Sequence, residues 1–127
     1  SPEGRRYAAA KMRDRYKNPQ FKLHSNTSRA IHKALGDKGG KGWEELVGYT
    51  SEQLKLHIER QFLRGMGWHN YGRGTGKWHI DHIVPQSAFS FTSPDDPDFR
   101  ACWALTNLRP LWGEKNISKH ASREFLL

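Results

Sequence analysis

The chain has 127 residues, 35% of them hydrophobic and 12% aromatic, with one cysteine and a net charge of +8. That size suits one compact domain, or a helical part joined to a small catalytic part, and excludes a TIM barrel or a full dinucleotide-binding fold. Cys102 alone excludes an internal disulfide and a Cys-rich zinc ribbon. No apolar run is long enough to span a bilayer and no leader pattern is present, so a cytoplasmic location without membrane contact is expected.

Residues 1–42 carry 11 Lys/Arg against 3 Asp/Glu, whereas residues 43–127 carry 10 of each. A basic arm on a neutral body favours a polyanionic partner. The plainer reading of the same charge is a solubilising tail. Beginning at Ser1 rather than Met is what a fragment of a longer protein would show.

Residues 3–17 read as a helix with Ala8, Ala9, Met12 and Tyr16 on one face and Arg6, Arg13 and Lys17 on another. Asn18-Pro19 breaks it. Residues 20–35 read as a second helix, packing through Ile31, Ala34 and Leu35. Its Lys22, Arg29 and Lys33 fall at i, i+7 and i+11 and form a second basic stripe. Two such stripes suit phosphate contacts, so residues 1–42 are expected to form a DNA-binding arm. The glycine-rich stretch 36–42 is a flexible connection.

The part from 43 onward opens with a helical turn on Trp43, Leu46 and Val47. Thr50 and Gln53 then have capping-box spacing, and a helix is predicted over 51–64 with Leu54, Ile58 and Phe62 on one face. His57 is read as packing on that helix's flank rather than as a ligand. Residues 65–76 hold five glycines and read as loop. A strand is predicted over 77–84, ending at Pro85. An irregular loop follows over 86–98, then a short helix over 99–105 and a strand over 107–112 that Pro110 keeps at an edge. The last helix, 113–125, would pack Ile117, Ala121 and Phe125 and present Asn116, His120 and Arg123 on its polar face. Trp78, Trp103 and Trp112 are expected in the core, while Trp68 and Tyr71 suit either core or base stacking.

Strand, long loop, strand and helix bring a short set of polar side chains together: Asp81, His82, Asn107, Asn116 and His120. Phosphodiester hydrolysis needs a group that deprotonates water near neutral pH, a task that suits histidine. It also needs a cation for the charge that builds on phosphorus. A hard divalent ion on a few oxygen ligands supplies it, and Asp81 and the Asn116 carbonyl are such oxygens. Strand alternation puts His79 with Asp81 and His82 on the other face, so from the residues alone either imidazole is a candidate base. Asp81 as the ion-pair partner of a nearby arginine is the structural alternative.

The stretches W-H-I-D-H-I-V-P, C-W-x-L-T-N-L-R-P-L-W and E-K-N-I-S-K resemble the HNH endonucleases of the phage type. The likeness is sharpest over residues 77–120 and extends back to about residue 43. It implies an α+β fold, an N-terminal α-helical region followed by a ββα-metal (His-Me) finger with its core at about 77–125. It implies His82 as general base and Asp81 as the first metal ligand. Asn107 would fix the hairpin and the base, and Asn116 would be the second ligand. His120 falls at a third ligand position used in some relatives, and is otherwise read as a phosphate contact or a simply exposed residue. The implied activity is metal-dependent cleavage of double-stranded DNA to 5′-phosphate and 3′-hydroxyl ends, with Mg²⁺ expected and Mn²⁺ or Zn²⁺ as alternatives. From the residues themselves, His79 is a candidate substrate contact, and Lys115, Lys119 and Arg123 are read either as phosphate contacts or as an ordinary solvated helix face; the chain is expected to act as a monomer or weak dimer. The 25-residue interval between His82 and Asn107 makes the inter-strand loop longer than the motif requires. The rival reading is a DNA-binding phage packaging or regulatory accessory protein with a latent nuclease site.

Overall fold

The computed structural model describes residues 17–36 and 42–114. Among them, helices and one two-stranded antiparallel sheet give a mixed α+β architecture. The helix expected over 3–17 and most of that over 113–125 lie outside the described residues. The chain forms two compact units, Ser1–Lys55 and Leu56–Leu127. Among the described residues, no helix is long and apolar enough to cross a membrane.

In the first unit, helix α1 spans Pro19–Leu35. The Asn18-Pro19 pair that stops one helix starts the next. Asn18 Oδ1 accepts the Gln20 and Phe21 amide hydrogens at 2.9 and 3.4 Å, and Pro19 takes a first-turn position that needs no donor. The buried face is Leu23, Thr27 and Ile31, three residues four apart, rather than Ile31, Ala34 and Leu35. Thr27 is tolerated there because its hydroxyl donates to the Leu23 carbonyl at 2.8 Å. Helix α2, Trp43–Val47, buries Trp43, whose ring meets His24 of α1 at a 5.2 Å centroid distance. Burial of Leu23 and Ile31 stabilises this unit by about 1.5–3 kcal/mol each.

Helix α3 spans Ser51–Glu59. Its capping box forms as the spacing predicts. Gln53 Oε1 accepts the Thr50 amide at 2.8 Å, and Thr50 Oγ1 accepts the Gln53 amide at 3.1 Å. It ends five residues before the expected residue 64, because the Gln61 and Phe62 amides bond three residues back, to Ile58 and Glu59, and tighten the chain into turns.

In the second unit, strand β1 (Trp78–His82) pairs antiparallel with β2 (Leu108–Trp112), with Asp81 opposite Arg109 and Ile80 opposite Pro110. Bonds from Gly113 N–H to Lys77 O and from Ile83 N–H to Asn107 O, 3.0 and 2.8 Å, set the phase of the ladder. Pairs 79/111 and 81/109 exchange hydrogen bonds and 80/110 does not, so Pro110 costs the ladder no donor. The outer edge of β2 is covered from α3 onward. Gln61 Nε2 donates to Leu108 O at 3.1 Å, and His57 Nε2 lies 3.1 Å from the same oxygen and 2.9 Å from Gln61 Nε2. Beneath the start of β1, Phe62, Trp68 and Tyr71 surround the fully buried Trp78 ring at 4.8–5.2 Å between centroids. The Trp78 indole donates to Gly67 O at 2.7 Å and that of Trp68 to Glu59 at 2.6 Å. Tyr71 is thus a core residue, whereas Trp68 packs on the same cluster and stays half-buried.

The inter-strand loop is ordered by carboxylates. Asp96 Oδ2 accepts the Thr92 and Ser93 amides at 2.9 and 3.1 Å, and Asp98 Oδ2 accepts the Ser90 amide at 2.8 Å. Helix α4, Pro97–Cys102, begins two residues before the expected residue 99, with Pro97 in its first turn. It buries Phe99 and Cys102.

Candidate functional site

Among the described residues Asp81 is the one buried side chain with a formal charge, at 6% exposure. Its burial has a visible counter-charge: Arg109, directly opposite in the register, donates from Nε to Asp81 Oδ2 at 3.0 Å. A carboxylate taken out of water needs such a partner or a metal ion. The Arg109 side chain is 37% exposed and that of Asp81 6%, so the pair lies at the sheet surface with the carboxylate beneath. The structural alternative for Asp81 is therefore realised as a contact, and Arg109 is a site residue that sequence reasoning did not single out. Residue 109 is the partner of 81 only once the strand register is known, and a 25-residue connection carries no register signal.

Asn107 stands at the end of the ladder and is 8% exposed. Its Oδ1 accepts the Val84 amide hydrogen at 2.8 Å. Its Nδ2 donates to the Val84 and Cys102 carbonyls at 3.1 and 2.9 Å, while its own carbonyl accepts from Ile83. One side chain thus ties the exit of β1, the end of α4 and the entrance of β2 together. Neither Asp nor Ser can make the same set, because Val84 and Cys102 require an acceptor and a two-hydrogen donor in one amide plane.

His82 is half-buried, with its ring edge-on to Trp103 at 4.5 Å between centroids and 87° between planes. Trp103 is itself buried, so it fixes the ring's orientation. The His82 Nε2 atom is buried. Pairing continues through His82 and Leu108, so β1 does not end at Asp81, and residues 81 and 82 leave opposite faces of the strand. His79, on the Asp81 face, is also half-buried, with its Nδ1 buried.

Of the other predicted site residues, Asn116, His120, Lys115, Lys119 and Arg123 lie outside the described residues, as do Arg6 and Arg13. Lys17 is exposed. Lys22, Arg29 and Lys33 line α1 about 140° around the helix from its buried face, at 100° per residue. Arg29 and Lys33 are exposed there and Lys22 is half-buried; Arg29 donates to Asn26 Oδ1 one turn back. Among the described residues no three His, Cys, Asp or Glu side chains gather into a metal cluster. The Cys102 thiol is pushed up to about 11, first by burial and then by the charge of Asp98, which keeps it a neutral packing group at physiological pH.

No family model matches the chain, and no solved structure matches it significantly. The chain is similar to two uncharacterized proteins of Acanthamoeba polyphaga mimivirus. One is 34% identical over 80 residues, which cover 63% of this chain and 33% of the relative. The other is 26% identical over 111 residues, 87% of this chain and 47% of the relative. The chain thus spans between a third and a half of the length of the curated relatives it matches.

Proposed function

We propose that the chain is a metal-dependent DNA endonuclease of the HNH type, hydrolysing phosphodiester bonds on the hairpin of β1 and β2. The observation that carries this reading is the pairing of a buried carboxylate, Asp81, with an adjacent imidazole, His82, on a hairpin locked by the Asn107 amide.

The donor chemistry at Asp81 fits a hard divalent ion such as Mg²⁺, with Asn116 and then His120 as the further ligands that the sequence resemblance implies. When bound, such an ion would polarise the phosphate and offset the charge of the transition state. His82 takes the proton of the attacking water, at Nδ1 because Nε2 is buried. Trp103 keeps the ring from rotating away. Arg109 anchors Asp81 and, being part-exposed, can extend toward a phosphate oxygen. Because Asp81 and His82 leave opposite faces, one phosphate meets both only over the edge of β1, not over a face. Lys22, Arg29 and Lys33 on α1 supply salt-sensitive, sequence-independent affinity.

The direct test is conversion of supercoiled plasmid to open circles in Mg²⁺, Mn²⁺ or Zn²⁺, with EDTA as control. Nicking that needs the metal supports the reading; tight DNA binding with no nicking in any of the three overturns it. That second outcome is the one a DNA-binding phage packaging or regulatory accessory protein would give. The Asp81–Arg109 bond favours this alternative, because a carboxylate already neutralised within the fold has less need of an ion.

A further inference from the structure

The loop between Tyr71 and Trp78 takes no part in the hairpin chemistry. Its sequence, Gly72-Arg73-Gly74-Thr75-Gly76-Lys77, sets two cations and a hydroxyl among three glycines, and residues 73–77 are all exposed. The loop is nevertheless pinned. Gly72 N–H donates to Trp78 O at 2.8 Å, Lys77 N–H to Gly74 O at 3.2 Å, and Gly113 N–H to Lys77 O at 3.0 Å. Gly113 lies so close beneath that a Cβ there would stand 3.2 Å from Gly74 O. Glu114 Oε1 accepts the Gly76 amide hydrogen at 2.9 Å, so this carboxylate helps to hold the loop's shape.

Gly74 and Gly76 have φ of +116° and +75°, a region that side chains disfavour, and a Cβ at either position would meet nothing within 4 Å. The loop therefore presents bare backbone to its surroundings at both bends. Among the described residues, neither the Arg73 guanidinium nor the Lys77 ammonium is held by a carboxylate or another hydrogen-bond acceptor, in contrast to the guanidinium groups of Arg109 and Arg29. Uncommitted cations on a rigid, side-chain-poor turn are suited to polyanion phosphates, which can approach the backbone closely and meet no counter-charge already in place. Lys77, the residue just before β1, lies four residues from Asp81, about 13 Å of extended chain, or about four base steps at ~3.4 Å of rise per step.

We infer that the loop 72–77 is a phosphate clamp for double-stranded DNA, with Arg73 and Lys77 gripping the backbone within about four nucleotides of the phosphate presented to Asp81 and His82. The inference rests on the DNA-binding part of the proposed function and adds a contact site that the basic N-terminal arm does not provide. The test is fluorescence anisotropy with a short duplex in EDTA, across a salt series, so that binding is read without cleavage. Arg73→Ala/Lys77→Ala is expected to make the slope of log K against log salt shallower by about 1.8, the loss of two phosphate contacts. The charge-conserving pair Arg73→Lys/Lys77→Arg is expected to keep most of the slope. An unchanged slope in the alanine pair overturns the inference, as does an equal loss in the conserving pair, which would mean that only the loop's shape had been disturbed. A protein that binds with the expected slope changes but nicks DNA in no metal would leave the clamp standing and remove the nuclease reading. Metal-dependent nicking with no slope change would do the reverse.

Discussion

Asn107→Ala is the perturbation whose cost the structure fixes best. The side chain makes three hydrogen bonds in a site that is 8% exposed: one accepted from the Val84 amide and two donated, to the Val84 and Cys102 carbonyls. At about 1 kcal/mol net per bond, alanine should destabilise the fold by about 3 kcal/mol, with the three partners left unsatisfied in the interior. At about 4 °C per kcal/mol for a chain of this size, the melting midpoint should fall by about 12 °C. Asn107→Asp sharpens the test. It keeps the acceptor for Val84 but replaces two donor contacts with oxygens facing carbonyl oxygens, so it should be no more stable than the alanine variant at neutral pH. Thermal and urea melts followed by circular dichroism measure both. An aspartate variant as stable as the parent would refute the donor role of Nδ2, and with it the account of how the two strand ends are joined.

Two further outcomes follow from the same geometry. A double-mutant cycle with Asp81→Asn and Arg109→Gln should show a coupling of about 1–2 kcal/mol, less than a fully buried pair because the guanidinium is partly in solvent; a coupling near zero would mean the contact does no more than a surface ion pair. The Cys102 thiol ionises near 11 in the fold against an ordinary value of 9.0, so the folded chain holds a proton that the unfolded chain loses. Its contribution to stability is fully present below about pH 9 and declines as pH rises from there toward 11. Urea midpoints at about pH 8 and about pH 10 should therefore drop more for the parent than for Cys102→Ala, and equal drops would contradict that.

The elements legible in the sequence are those with local chemical signals. Helix α1 is bounded by Asn18 and Pro19, α3 opens on the Thr50–Gln53 capping box, and β1 is recognisable in a run that ends before Pro85. Thr27 was illegible as a core position because its burial depends on a hydroxyl bond back to Leu23 rather than on hydropathy. The early end of α3 was equally hidden. Nothing in Arg60 to Leu63 forbids a helix, and the turn forms because Gln61 and Glu59 are drawn to partners far along the chain, Leu108 and Trp68. The site divides the same way. Asp81, His82 and Asn107 stand out as polar residues at strand ends, whereas Arg109, which pairs with Asp81, needs the register. The charge of the chain changes near residue 42 while its packing divides after Lys55, because solvated lysines and arginines record a surface property and not a core.

The proposed nuclease activity assigns the proton transfer to His82 rather than His79. The relaxation rate of supercoiled plasmid, measured in excess Mg²⁺ for His82→Ala beside His79→Ala, tests it most directly. The account predicts a loss of about 10²-fold or more for His82→Ala and only a few-fold for His79→Ala; a His82→Ala protein that relaxes plasmid as fast as the parent would contradict it.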